Sequence, residues 1–217
     1  MSKRLAALVA LSAALAATLP LAAQAPMTAP GSNNPALAAA GSYKVDPYHT
    51  QVVWTVNHLG FTPYTGIFGD VSGSLTFDPK SPAAAKVDVT IPVSKVTTAS
   101  AGLTAHLLKP APAGGKADFF GAAPADAHFV STKVEPGSDG TAKITGDLTL
   151  NGVTRPVVLD AKFYGAGKLP AQMGGGDGLG FTAHATLKRS EFGVAYGIPM
   201  VSDEVELTIA AGFIKAA

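Results

Sequence analysis

The segment Lys143–Phe163, KITGDLTLNGVTRPVVLDAKF, reads as two strands and their turn without help from the rest of the chain. Ile144, Gly146, Leu148 and Leu150 alternate with Thr145, Asp147 and Thr149. One face is therefore apolar or small and the other polar, which is the period of a half-buried strand. Asn151-Gly152 follows. Both residues tolerate positive φ, which tight primed turns require, so the pair between two alternating runs marks a hairpin. The return strand places Val157, Leu159, Ala161 and Phe163 on one face. Pro156 cannot donate to a ladder and belongs at the strand's first residues or at a bulge. An antiparallel architecture follows.

Outward from this hairpin the same period recurs. Upstream, Gln51–His58 places Val52, Trp54, Val56 and His58 on one face. Thr65–Asp70 places Gly66 with Phe68, with a kink expected at Gly69-Asp70, and Ser72–Phe77 places Gly73, Leu75 and Phe77 together. Lys86–Ile91 aligns Val87, Val89 and Ile91, and Ala127–Val134, which carries Phe129, is a further strand. Downstream, Gly180–Leu187 aligns Phe181, Ala183, Ala185 and Leu187, and Val205–Ala211 aligns Val205, Leu207, Ile209 and Ala211. About nine sequentially adjacent antiparallel strands close naturally into a barrel, which removes exposed edges. On the recurring face, glycines and alanines share space with Trp54, Phe68, Phe77 and Phe163. Two readings are equally open: a lined cavity, or small residues that permit tight corners.

Two segments break the pattern. Ser94–Gly121 contains a short helix around Ala101–Leu108, then KPAPAGGK at Lys109–Lys116, then the apolar pair Phe119-Phe120. A loop of this length suggests a lid. Gly165–Gly180, GAGKLPAQMGGGDGLG, is expected to be a flexible loop, because it lacks the spacing of a phosphate-binding motif.

At the amino end, residues 1–25 have the three-part layout of a secretory signal: Lys3 and Arg4, an Ala/Leu run, and Ala23-Gln24-Ala25. Residues 26–41 are rich in Ala, Pro, Gly, Ser and Asn and are expected to form a disordered linker. Residues 42–217 then make one domain. The chain carries 16 Lys+Arg against 15 Asp+Glu, and without Lys3 and Arg4 the balance is 14 against 15, so no basic field exists to hold nucleic acid. It has no cysteine, which excludes disulfides and zinc-thiolate sites.

Enzyme signals are poor. The sequence has no Gly-x-Ser-x-Gly elbow and no His-Glu-x-x-His helix, and its five histidines, His49, His58, His106, His128 and His184, are scattered. No metal site and no cofactor are expected. His49, His58 and Arg189 are candidates for polar contact with a ligand head group, although hydrogen bonding that closes a strand end is the favoured role for the two histidines. Asp70, Arg189 and Asp203 are considered as an ion network.

The runs Asp46-Pro47-x-His49, Asn57-His58-Leu59-Gly60, Thr65–Asp70, Gly73–Pro79, Gly146–Thr154 and Arg189-Ser190-x-Phe192-Gly193, in this order and spacing, resemble the YceI family of periplasmic lipid-binding proteins. The resemblance covers nearly all of Tyr43–Ala211. It implies an extended, lipocalin-like antiparallel β-barrel of about eight strands with a short covering helix. It also implies an apolar tunnel for a long polyisoprenoid such as an isoprenoid quinone. The lining would be Val52, Trp54, Val56, Phe68, Leu75, Phe77, Val89, Ile91, Phe119, Phe120, Phe129, Leu148, Leu159, Phe163, Phe181, Ala183 and Leu207. The resemblance further implies a periplasmic location and an exchange partner among membrane quinone enzymes, and it leaves the oligomeric state open, a homodimer included. Two other classes stay open: a secreted enzyme acting on a lipid through His106 or His128, and a ligand-free β scaffold or adhesion domain.

Overall fold

The computed structural model describes residues 28–216, so the expected signal segment lies outside the described residues. The strands are β1 (Gly31–Ser32), β2 (Gly41–Val45), β3 (Gln51–His58), β4 (Thr62–Phe68), β5 (Ser72–Phe77), β6 (Lys86–Ile91), β7 (Thr97–Thr98), β8 (Ala127–Pro136), β9 (Thr141–Leu150), β10 (Val153–Lys168), β11 (Asp177–Lys188) and β12 (Glu204–Lys215). One helix, α1 (Ala101–Leu107), lies between β7 and β8.

The Asn151-Gly152 hairpin forms as read. Both residues have positive φ, 52° and 75°. The register pairs Leu150 with Val153, Leu148 with Arg155 and Ile144 with Leu159. Pro156 pairs with Asp147, but β11 joins the other edge of β10 only from Asp160 onward. Pro156 therefore occupies a stretch where β10 has one partner, and its missing N–H breaks no ladder there.

Each neighbour in the sheet is antiparallel, and the ring β2–β5–β6–β8–β9–β10–β11–β12 returns to β2, a closed barrel of eight strands. The first two staves are broken. β12 pairs with β2 through Phe213–Lys215 and with β3 through Glu206–Ala210, so β3 continues the stave that β2 begins. Across the break, Asp46 N–H and Thr50 Oγ1 both donate to the Gly212 carbonyl. β4 continues β5 in the same way past Asp70, whose φ of 53° turns the chain at the kink expected there. At one end of the barrel the wall thus extends as β3, β4 and β7, and α1 with residues 109–126 fills the span from β7 to β8.

The cluster at the opposite end is Tyr43, Val45, Val71, Leu75, Phe163, Ala166, Leu179 and Phe213, all buried. Gly73 in this half has a φ of 131°, and a Cβ on it would collide with the Asp88 carbonyl of the neighbouring strand. Gly73→Ala is therefore expected to cost roughly 2–4 kcal/mol, because neither backbone can retreat without breaking its ladder. Denaturant titration at constant m-value would show it.

Two expectations need correction. Residues 31–41 are not a disordered tether: Gly31 and Ser32 pair with Gly167 and Ala166 of β10, residues 35–37 make a 3₁₀ turn capped by Asn34, and the Tyr43 hydroxyl donates to Ala39 O. Gly165–Gly180 is not one flexible loop either. β10 runs to Lys168 and β11 starts at Asp177, leaving only residues 169–176 as the tip. The two errors share a cause. A Cβ at Gly167 would strike the Pro30 carbonyl, so the glycines that look like loop composition are what lets the amino-terminal segment lie against the strand.

Candidate functional site

The inward-facing rows enclose a cavity of about 900 Å³ that runs the length of the barrel. Every lining residue expected from the sequence borders it: Val52, Trp54 and Val56 of β3, Phe68 of β4, Leu75 and Phe77 of β5, and Val89 and Ile91 of β6. Phe129 of β8, Leu148 of β9, Leu159 and Phe163 of β10, Phe181 and Ala183 of β11, Leu207 of β12, and Phe119 and Phe120 complete them. Its volume is at the upper end of that of small-molecule sites, and its surface is almost wholly apolar.

The cavity and close-contact readings of the small residues are both realised, by different residues. The alanines, Ala161, Ala183 and Ala211, border the cavity. Two of the glycines instead make room for rings: a Cβ on Gly66 would fall within the Trp54 indole, and one on Gly146 would strike the ring edge of Phe129. Phe181 packs edge-on against Phe77, Phe163 and Phe213, with centroids 5.8, 5.8 and 6.2 Å away.

At the α1 end the cap is built from three segments. Ser100 Oγ accepts from Leu103 N–H at 3.3 Å and starts α1. His106 on α1 hydrogen-bonds through Nε2 to Asp118 at 2.8 Å. Its ring also meets Phe119 and Tyr196 edge-on at 5.2 and 5.6 Å, and those two rings are 5.4 Å apart. Phe120 stands edge-on to Phe68 at 6.1 Å, and its N–H donates to Leu107 O. One aromatic cluster thus ties together α1, the 109–126 connection and the 193–203 loop.

Arg189 organises that last loop. Its side chain, 6% exposed, donates through Nε to Ser202 O, through Nη1 to Val194 O and Tyr196 O, and through Nη2 to Val201 O. Burial pulls the guanidinium's pKa below its ordinary value, with Asp203 opposing. The considered Asp70–Arg189–Asp203 network does not form. Asp70 lies 3.7 Å from Lys95 at the surface, and Asp203 accepts from Ser190 N–H and Oγ–H at 2.9 and 2.7 Å. Burial pushes the Asp203 carboxyl up, but the Ser190 bonds and the charges of Arg189 and Lys188 outweigh it and hold the group below the ordinary carboxylate value. A depressed value means that the folded state favours the carboxylate more than the unfolded chain does. The stabilisation is therefore present above the unfolded carboxylate pKa of about 4 and is lost as pH falls through the lower folded value. Asp203→Asn is expected to flatten the acid limb of the melting temperature against pH, which thermal scans from about pH 6 to 2 would resolve.

Arg189 and His58 border the cavity, but Arg189 already spends its donors on backbone carbonyls, and His58 is exposed at the end of β3. His49 does not border it: its Nδ1 lies 2.6 Å from Asp46 at the surface, the strand-end role favoured for it. His128 and His184 also lie off the cavity, bonded to Asp88 and Thr208. The expected lining left out Tyr64, Leu103 and Tyr196 at the cap and Pro35, Ala38 and Pro136 at the other end, and His106, offered from the sequence only as a residue of the enzyme alternative, also borders the cavity. Tyr64 had a legible signal, since the alternation through Gly66 and Phe68 extends back to it.

A closed eight-strand barrel with this cavity agrees with a family-level match: the model of the YceI-like domain matches residues 43–213. The chain belongs to the YceI-like family. Protein YceI of Escherichia coli is 41% identical over 175 residues, covering 79% of this chain and 86% of that one. The YCEI protein of Campylobacter jejuni superposes with a TM-score of 0.61 at 31% identity, over 74% of this chain and 90% of that one. A polyisoprenoid binding domain from Saccharophagus degradans, implicated in plant cell wall breakdown, superposes with a TM-score of 0.57 at 14% identity, over 82% of this chain and all of that domain, a likeness of fold. The YceI-like barrel described here has, among its described residues, no helix long and apolar enough to cross a membrane.

Proposed function

We propose that this YceI-like protein binds a long-chain isoprenoid lipid, such as an isoprenoid quinone, within its barrel, and sequesters or carries it in the periplasm. The carrying observation is the continuous apolar cavity of about 900 Å³, capped by α1 and the aromatic cluster. Each CH₂ taken from water contributes about 0.8 kcal/mol, so a long hydrocarbon chain binds there without specific polar contacts. A periplasmic role rests on the signal-like amino terminus, and a membrane quinone enzyme is the natural donor or acceptor for such a lipid.

Native mass spectrometry of the protein purified from its own periplasm, followed by solvent extraction, tests the reading. A stoichiometric isoprenoid supports it. Empty protein that also refuses added quinone and polyprenol overturns it in favour of the ligand-free scaffold.

Exchange requires an opening, and residues 109–120 are the gate. They contain no strand, residues 109–116 are exposed, and the segment is pinned chiefly through Phe119 and Phe120. Replacing both phenylalanines by alanine removes several edge-on pairs worth about 0.5–1.5 kcal/mol each, so lipid release is expected to accelerate roughly tenfold or more. Transfer between labelled vesicles and protein would report it.

A further inference from the structure

We infer that the α1 end of the barrel docks on a lipid bilayer, with the β3–β4 turn and the 193–203 loop entering its surface, a deepening that rests on the lipid-carrier reading above. Leu59, Phe61, Tyr196, Ile198 and Met200 are exposed, Phe61 at 88% and Met200 at 61%. Backbone bonds hold the two segments side by side: Leu59 N–H donates to Met200 O at 2.7 Å, Ser202 N–H donates to Asn57 O at 2.9 Å, and His58 bridges to Val201. Tyr196 and Leu103 of α1 are exposed and also border the cavity, so this apolar surface reaches the cavity's α1 end beside the 109–120 gate. The turn does not require such side chains. Leu59 and Gly60 both have positive φ, 58° and 73°, and Asn57 Oδ1 accepts from Gly60 N–H at 2.7 Å, whereas the β9–β10 turn is made with the polar pair Asn151-Gly152. A leucine in the left-handed region followed by an exposed phenylalanine is disfavoured in water, and a cluster of such residues marks a surface that meets a partner.

Charge identifies the partner as a bilayer. The three segments that build this end, residues 57–69, 96–108 and 192–202, contain no Asp, Glu, Lys or Arg. Of the acids at their borders, Asp70 is 3.7 Å from Lys95 and Asp203 is bonded to Ser190. Toward the opposite end the walls instead carry ion pairs, Lys168 and Lys215 with Asp177 and Lys143 with Asp160. A side chain with a formal charge is costly below the phosphate level, so a segment that enters a bilayer has to be free of them. Phe61 and Met200 suit the acyl boundary, and Tyr196 suits the interface, where an apolar ring and a polar hydroxyl are both accommodated. The gate segment 109–116 is exposed and its charges are Lys109 and Lys116 alone, which at the rim of the surface would meet lipid phosphates. Docked in this way, the gate opens against the membrane and an isoprenoid passes into the barrel without crossing water.

Flotation of the lipid-free mature protein with vesicles of phosphatidylethanolamine and phosphatidylglycerol, containing no isoprenoid, tests the surface apart from the cargo. The parent should float with the vesicles. Phe61→Ser combined with Met200→Ser should weaken vesicle binding roughly tenfold or more and slow isoprenoid transfer between vesicles by a similar factor. Affinity for farnesol in solution should stay unchanged, since neither side chain borders the cavity. Leu37→Ser combined with Met173→Ser removes exposed apolar side chains at the opposite end and should leave vesicle binding as in the parent. A parent that floats with no vesicle, equal vesicle binding by the parent and the Phe61/Met200 variant, or an equal loss in the Leu37/Met173 variant overturns the docking surface and leaves the carrier reading standing. A parent that sediments as a dimer, with Phe61→Ser making it a monomer, also overturns it, because the surface then belongs to a second copy of the chain. The expected pattern of vesicle binding in a protein that takes up neither farnesol nor quinone overturns the carrier reading and leaves the docking surface standing.

Discussion

Replacing Ala161 and Ala183 together by phenylalanine is expected to lower affinity for a long isoprenoid by more than about a hundredfold while sparing shorter chains. The two alanines face each other across the β10–β11 ladder and both border the cavity, with Phe163 paired to Phe181 beside them. Two added rings would block the cavity partway along its length. Each five-carbon unit held out of the cavity forfeits about 4 kcal/mol, at about 0.8 kcal/mol per carbon, so even one excluded unit exceeds the hundredfold mark. The backbone register is untouched, and the new rings extend an existing aromatic layer. Titration with a ladder of isoprenoids of increasing length should therefore show a break in affinity at one chain length, where the parent protein shows a steady rise. An unbroken rise in the variant would mean that the chain does not thread past β10 and β11.

Arg189→Met is expected to cost about 3–5 kcal/mol of stability, the largest single-residue loss we foresee. Methionine preserves much of the apolar bulk but removes the donors that satisfy Ser202, Val194, Tyr196 and Val201 carbonyls. For a domain of this size the loss corresponds to a fall in melting temperature of roughly 10 °C. It should be accompanied by fast amide exchange across residues 193–203. Arg189→Lys should recover little, because an ammonium cannot present the guanidinium's planar fork to carbonyls on several sides. Val194, Tyr196 and Val201 border the cavity, so the same variant is also expected to release lipid faster. Unchanged melting and exchange would show that the loop holds its shape by side-chain packing alone.

Much of this site was legible in period-two patterning. Val52, Trp54 and Val56, or Phe181 and Ala183, declare their face by alternation alone, because a strand's side chains must point in opposite directions in turn. Asn151-Gly152 declared its turn by conformational preference, and α1 by the break in alternation after Ser94. The segments that were misread are those whose partners lie far along the chain. Gly31 and Ser32 have no pattern of their own; they become a strand only because β10 offers an edge at Gly167 where no Cβ intervenes. Arg189 invited a carboxylate partner by charge, yet it is the curl of residues 193–203 that turns four carbonyls onto it, and a carbonyl leaves no mark in sequence.

By itself, then, the sequence determined the strand faces, the central hairpin, the antiparallel sheet and the apolar character of what the sheet encloses, since these follow from backbone geometry and the hydrophobicity of alternate residues. Only the tertiary structure decided that the interior stays open as a cavity, that glycines seat the Trp54 and Phe129 rings while alanines leave the space, and that His49 faces away from it. Those outcomes depend on barrel closure and stagger, which place residues from distant strands opposite one another, and interior volume is set by how those distant side chains meet.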